Sequence, residues 1–166
     1  MEDYKELFSE AMTQMPKGAF LVVDNNIMTI GWCQFGVVWG KPVCTVFVRL
    51  SRFTHDVLDH ADHFTVSVPK TGEMAKELGY CASHSGRDTD KFKEGGISRI
   101  GSRTDAPAGV SGCSMHFECR ILSRTEMDLS RTDSDVKARY YGSNQARSDG
   151  DPHTVLFGEI LAAYRE

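Results

Sequence analysis

No stretch of this chain is apolar for long enough to cross a bilayer. The longest such runs are residues 19–23 and 43–48, and Thr45 interrupts the second. Positive charge is also scarce: 19 Lys and Arg against 23 Asp and Glu leave a net charge of −4, with no block of one sign. A nucleic-acid face and a membrane partner are therefore not expected. The opening Met1-Glu-Asp-Tyr-Lys-Glu6 lacks the basic-then-apolar order of a signal peptide. The five cysteines are odd in number and contain no C-x-x-C, which excludes a complete intramolecular disulfide set and an all-cysteine zinc knuckle. A reducing cytoplasm is the expected location. No G-x-G-x-x-G, P-loop, G-x-S-x-G or H-E-x-x-H is present, which removes the Rossmann fold and several hydrolase classes. What is present is ordinary: 166 residues, 40% hydrophobic and 10% aromatic, the make-up of one soluble globular domain spanning 1–166.

Tyr4, Leu7, Phe8, Ala11 and Met12 recur at helical spacing and predict a helix over 3–14. Pro16 and Gly18 end it, and strand signals then dominate. Residues 19–23, 27–33 and 43–49 are rich in β-branched and aromatic side chains, while 64–68 and 115–121 alternate with period two. A last strand is expected over 154–164. Short helices fit between: 54–61 with Thr54 as cap, 72–78, and 88–94 ended by Gly95-Gly96. The polar stretch 142–150 reads as a loop. Strands along the whole length with few helices predict a mainly β barrel, not a doubly wound sheet.

Three segments carry candidate chemistry. In Arg49-Leu-Ser-Arg-Phe-Thr54, strand alternation puts Thr45, Phe47, Arg49 and Ser51 on one face, and a helix begins just beyond. Guanidinium, hydroxyls and a helix start together suit an anion, most naturally a phosphate. The same arginines also suit a solvated face, or pairing with Asp56 and Asp59. Cys81-Ala-Ser-His-Ser-Gly-Arg-Asp88 joins small and hydroxylated residues to Arg87 and, one turn into the next helix, Lys91. Backbone can approach a ligand there, although an ordinary loop with Asp88 as helix cap has the same composition. Thr29 and Gly31, within an apolar strand, mark either close approach of something flat or a barrel corner. His153 stands alone after Pro152, and a half-exposed ring is its default reading. Asp56 and His60 at i, i+4 could share a metal, but the cluster 55–63 reads more simply as a solvated face, so no metal is assigned.

Taken in order, Met28-Thr-Ile-Gly-Trp32, Trp39-Gly-Lys-Pro42, Val48-Arg-Leu-Ser-Arg-Phe-Thr54, Cys81-Ala-Ser-His-Ser-Gly-Arg-Asp88, Asp90-Lys-Phe-Lys-Glu94 and Gly150-Asp-Pro-His153 with Leu156-Phe-Gly-Glu-Ile160 resemble the flavin reductase-like family, in particular its flavoredoxin-type branch. The resemblance runs from about residue 26 to 160. It implies an FMN-binding split β-barrel, Greek-key-like with short peripheral helices, usually a homodimer. Carried over by position, Arg49, Leu50, Ser51, Arg52 and Thr54 serve the phosphate and ribityl chain. Asn26, Met28, Thr29, Ile30, Gly31 and Trp32 line the isoalloxazine. Cys81, Ala82, Ser83, His84, Ser85, Gly86, Arg87 and Lys91 close the site, with His153 at its open edge as the one catalytic candidate. Relatives more often carry Pro and Tyr where Leu50 and Phe53 stand, Gly at Ala82, and an aromatic before the terminal His.

The resemblance implies an oxidoreductase in which NADH or NADPH gives hydride to bound FMN, the protein supplying position and electrostatics. Backbone amides of 28–31 and 81–85 are expected to steady the reduced flavin, and Cys81 to be a buried inert thiol sooner than a redox partner. An electron carrier served by a redox protein, and a flavin-binding protein without turnover, share the same cradle.

Overall fold

The computed structural model describes residues 4–166; the first residue of the expected 3–14 helix and half of the acidic 1–6 stretch fall outside it. Helix α1 (Tyr4–Gln14) is followed by a 3-10 turn, and then by β1 (Ala19–Val23), β2 (Asn26–Ile30), β3 (Cys33–Val38) and β4 (Lys41–Arg49). After α2 (Phe53–Leu58) come β5 (His63–Pro69), α3 (Ala75–Ser83) and α4 (Lys91–Glu94). The small pair β6 (Arg99–Ile100) and β7 (Gly109–Val110) precedes the long β8 (Cys113–Glu126), α5 (Ser134–Tyr140) and β9 (His153–Arg165).

Seven strands form one antiparallel sheet in the order β2-β1-β5-β8-β9-β4-β3. β2 and β3 therefore sit at opposite edges, yet only Gly31 and Trp32 separate them in sequence. Three Cα steps reach no farther than roughly 11 Å, so the sheet must curl until its edges meet. No ladder joins those edges among the described residues, and the result is the expected mainly β split barrel. β8 has register shifts against β9 at 118/119 and 121/123, the kind of bulge that bends a strand pair.

β1 is buried along its whole length because both of its faces are covered. Ala19, Leu21 and Val23 point into the barrel with Val46, Val66, Phe117 and Leu156. Phe20 and Val22 meet a second cluster with Ile27, Leu78, Cys81 and Phe92, which seats α3 and α4 on the outside of the sheet. The Thr29 hydroxyl donates to the Leu78 carbonyl at 2.7 Å and pins α3 against β2.

Several local expectations need correcting. The single strand over 27–33 is broken at Gly31-Trp32, where the chain passes from one sheet edge to the other; Gly31 is thus the barrel-corner alternative. Thr54 does not cap α2, since that position is Arg52. Thr54 is instead buried and accepts from the Asn26 amide at 2.8 Å. The helix expected over 72–78 starts later, at Ala75, because Gly72 and Met74 take left-handed φ values of 89° and 55°. It also ends later, at Ser83, so Cys81, Ala82 and Ser83 are helical and not part of the loop that the sequence suggests. Asp90, not Asp88, caps α4, its carboxylate accepting from the Phe92 and Lys93 amides at 3.2 Å. Lys91 is therefore the first helical residue and not a turn further on. α5 was not anticipated.

Candidate functional site

Two adjoining cavities open along β2. One, of about 270 Å³, is lined by Met28 and Thr29, by 51–54 at the start of α2, by 81–87 and by Lys91. The other, of about 250 Å³, lies over the barrel seam and is lined by Met28–Trp32, Phe47, Arg49, Arg52 and His153. Met28, Thr29 and Arg52 belong to both, so the two form one cleft. A larger recess of about 800 Å³ adjoins the first cavity through Phe53, Gly86, Arg87 and Lys91, and Asn26 lines that recess instead of the seam.

Of the residues expected in the cleft, Leu50 lines neither cavity; its amide donates to the Pro152 carbonyl at 3.1 Å. Asn26 is held under Gly86: a Cβ on Gly86 would lie 2.0 Å from Asn26 Oδ1 and 3.0 Å from the Phe53 ring. That glycine is present for close approach within the chain.

The charges divide into engaged and free. Arg49 donates to the carbonyls of Asp151 and Tyr140, each at 2.9 Å, and its guanidinium lies 5.1 Å over the Tyr141 ring. Ser51 gives both its amide and its hydroxyl to the Asp151 carboxylate. Arg87 pairs with Asp56 at 2.8 Å and Asp59 lies 3.8 Å from His55 Nδ1, so neither alternative partner holds Arg49 or Arg52. Arg52, in contrast, has no side-chain partner among the described residues, and it faces both cavities. Lys91 is buried with one long contact, Nζ to the Cys81 carbonyl at 3.4 Å. Burial holds its ammonium below the ordinary lysine pKa, and the Arg52 charge adds to that. An unpaired guanidinium beside a buried, under-bonded ammonium fits an anion.

Among the backbone donors, those of Cys81–Ser83 belong to α3 and the His84 amide donates to the Tyr80 carbonyl. The amides of Ser85 and Gly86 remain without an acceptor among the described residues. β2 is an edge strand, so alternate peptide groups on its outer side face away from β1. His84 is exposed and stacks on Tyr80, with ring centroids 4.0 Å apart. Burial pushes the Cys81 thiol up to about 11, which keeps it protonated at neutral pH.

His153 is not half-exposed but buried, 7% accessible. Its ring lies 4.6 Å from that of Trp32 at 31°, and its Nδ1 meets the Tyr141 hydroxyl at 2.8 Å. Burial, then the Arg49 charge, pushes its pKa down to about 4, so the ring is neutral at pH 7. Tyr140 meets Trp32 edge-on at 5.3 Å. Tyr140 and Tyr141 carry no motif in the sequence, their one signal being a pair of aromatics just before a polar loop; Asp151 stands in the Gly150-Asp-Pro-His153 motif, but its bonds to Ser51 and Arg49 were not expected. The metal alternative finds no support in the contacts: Asp56 is held by Arg87, and His55 meets Thr154 at 2.8 Å. No group of three metal-ligating side chains occurs among the described residues. All five cysteines are free and buried, with Cys33 and Cys44 sulfurs 3.5 Å apart. No helix among the described residues is long and apolar enough to cross a membrane.

A family model described as "Flavin reductase like domain" matches residues 12–166. Among solved structures, flavoredoxin from Methanosarcina acetivorans is 24% identical, with a TM-score of 0.66 over 90% of this chain and 68% of its own. An FMN-binding protein from Thermus thermophilus is 21% identical, with a TM-score of 0.61 over 89% of this chain and 68% of its own. The NADH:FAD oxidoreductase SgcE6 of Streptomyces globisporus is 21% identical, with a TM-score of 0.67 over 90% and 75%. At these identities the three structures speak for the shared fold.

Proposed function

The chain belongs to the flavin reductase-like domain family, and from that premise we propose that it binds FMN and passes electrons through it, with NADH or NADPH as donor. The observation that carries this reading is the pairing of partnerless Arg52 with buried Lys91 beside a cleft that continues along β2. Phosphate-sized charge belongs at these two cations, with the Ser85 hydroxyl and the free amides of Ser85 and Gly86 adjoining, whereas the Ser83 hydroxyl donates to the Gly79 carbonyl at 2.9 Å. A flat heteroaromatic ring fits along Met28–Trp32, against Phe47 and the outer edge of β2. Of the residues expected at the phosphate, Arg49 and Ser51 have donors engaged within the chain, which leaves Arg52, with Lys91 beside it, as the cations this reading assigns to the anion. Bound FMN would supply the hydride and single-electron chemistry. The chain itself binds the phosphate and orients the ring, and it offers His153 as a neutral group at the seam.

A second reading, an electron carrier reduced by another redox protein, is favoured by Trp32. That side chain is 37% exposed and joins the cleft to an apolar groove lined by Met12, Met15, Pro16 and Phe47. The FMN-loaded protein, mixed without oxygen with NADH or NADPH, separates the two: rapid bleaching of the flavin supports the reductase. Bleaching only by dithionite or a reduced redox protein supports the carrier, and failure to take up FMN defeats both readings. A homodimer is part of the proposal, supported by the edge strand β3 with Val37 exposed on it and Trp39 exposed in the turn that follows; sedimentation tests it. A reducing compartment suits the five free thiols.

A further inference from the structure

The Tyr141 hydroxyl carries one proton and has two acceptors within reach, His153 Nδ1 at 2.8 Å and the Met127 sulfur at 3.5 Å. A ring nitrogen at that distance is much the stronger acceptor, since a thioether accepts only weakly. The proton therefore goes to Nδ1, and the proton of the neutral imidazole must sit on Nε2. The ring has little freedom to turn. Trp32 covers one face, the Tyr141 ring meets it at 87°, and the His153 carbonyl accepts from the Met127 amide at 2.9 Å. Tyr141 is itself fixed: it is buried at the C-terminal end of α5, and Arg49 binds the preceding carbonyl while lying over its ring.

We propose that Tyr141 is a positioning residue that holds His153 as the Nε2–H tautomer. His153 then meets a ligand in the cleft as a hydrogen-bond donor, suited to a carbonyl or carboxamide oxygen, and not as a general base. Arg49 supports this arrangement from behind by tying down residues 140–151. The identity of the ligand rests on the flavin-site reading; the tautomer does not.

The test is the ¹⁵N spectrum of histidine-labelled full-length protein at neutral pH, with and without FMN, His153 being assigned by the signals lost in His153→Gln. The expected pattern for His153 is an unprotonated, acceptor-type Nδ1 and a protonated Nε2. Tyr141→Phe should abolish that single-tautomer pattern. Met127→Leu, which removes only the competing acceptor, should leave it unchanged and serves if Tyr141→Phe does not fold. A protonated Nδ1 in the wild type, an unaltered pattern in folded Tyr141→Phe, or a switch of tautomer in Met127→Leu overturns the proposal. Failure of FMN to bind would leave these signals readable and count against the flavin-site reading alone.

Discussion

The Asp151 carboxylate sits on both donors of Ser51, 2.9 Å from its amide and 2.6 Å from its hydroxyl. Asp151 is buried and has a left-handed φ of 53°, with Arg49 bound to its carbonyl. A carboxylate of the chain thus occupies donors that resemble an anion site in the sequence, and in doing so it fastens residues 140–152 across the end of β4.

Asp151→Asn tests that fastening. Asn tolerates the left-handed backbone and keeps an oxygen for the Ser51 amide, but it loses the charge-assisted bond from the hydroxyl. We expect about 1–2 kcal/mol of destabilisation in urea unfolding. Wild-type stability would show that the latch contributes nothing.

Gly86→Ala should destabilise by about 1–3 kcal/mol, because the new methyl would lie 2.0 Å from Asn26 Oδ1. The clash also disturbs the Asn26–Thr54 bond. In the double variant with Asn26→Ala the two losses should be clearly sub-additive, since one residue removes what the other strikes. Simple additivity would mean that the strain lies elsewhere.

Stability should fall on acidification. The His153 pKa lies at about 4 in the fold, and burial also lowers that of His116. In both cases the unfolded chain, with histidine near its ordinary value of about 6.5, binds protons that the folded chain refuses. Stability from these groups is complete above that value and is lost as the pH falls toward 4. Urea midpoints measured across this window should drop, and His153→Gln should flatten part of the slope. An unchanged slope would indicate that His153 titrates alike in both states.

These tests rest on details that the sequence disclosed unevenly. The β-branched runs located the main strands, and the period-two pattern placed Phe47 and Arg49 on one face, where both line the seam cavity. Residues 27–33 look like one strand because Gly31 and Trp32 do not interrupt an apolar run; the break follows from sheet closure, a long-range constraint. The late start of α3 depends on a left-handed Met74, which no propensity anticipates. The ordered motifs brought Arg49, Ser51, Arg52 and Lys91 into one neighbourhood. They gave no sign that the carbonyls of Tyr140 and Asp151 and the Asp151 carboxylate, about a hundred residues away, would claim the first two, because those partners flank a loop of unremarkable polar composition.

Comparative binding of FMN and riboflavin to Arg52→Ala, by fluorescence titration, is the most direct test of the site. The Arg52 side chain has no hydrogen-bond or ion-pair partner among the described residues, and alanine keeps the backbone bonds to Arg49 and His55, so the variant should keep wild-type stability. Its affinity for FMN should fall about tenfold or more, while riboflavin, which lacks the phosphate, should bind as it does to the wild type. Equal losses for the two ligands, or no loss for FMN, would contradict the placement of the phosphate at Arg52 and Lys91.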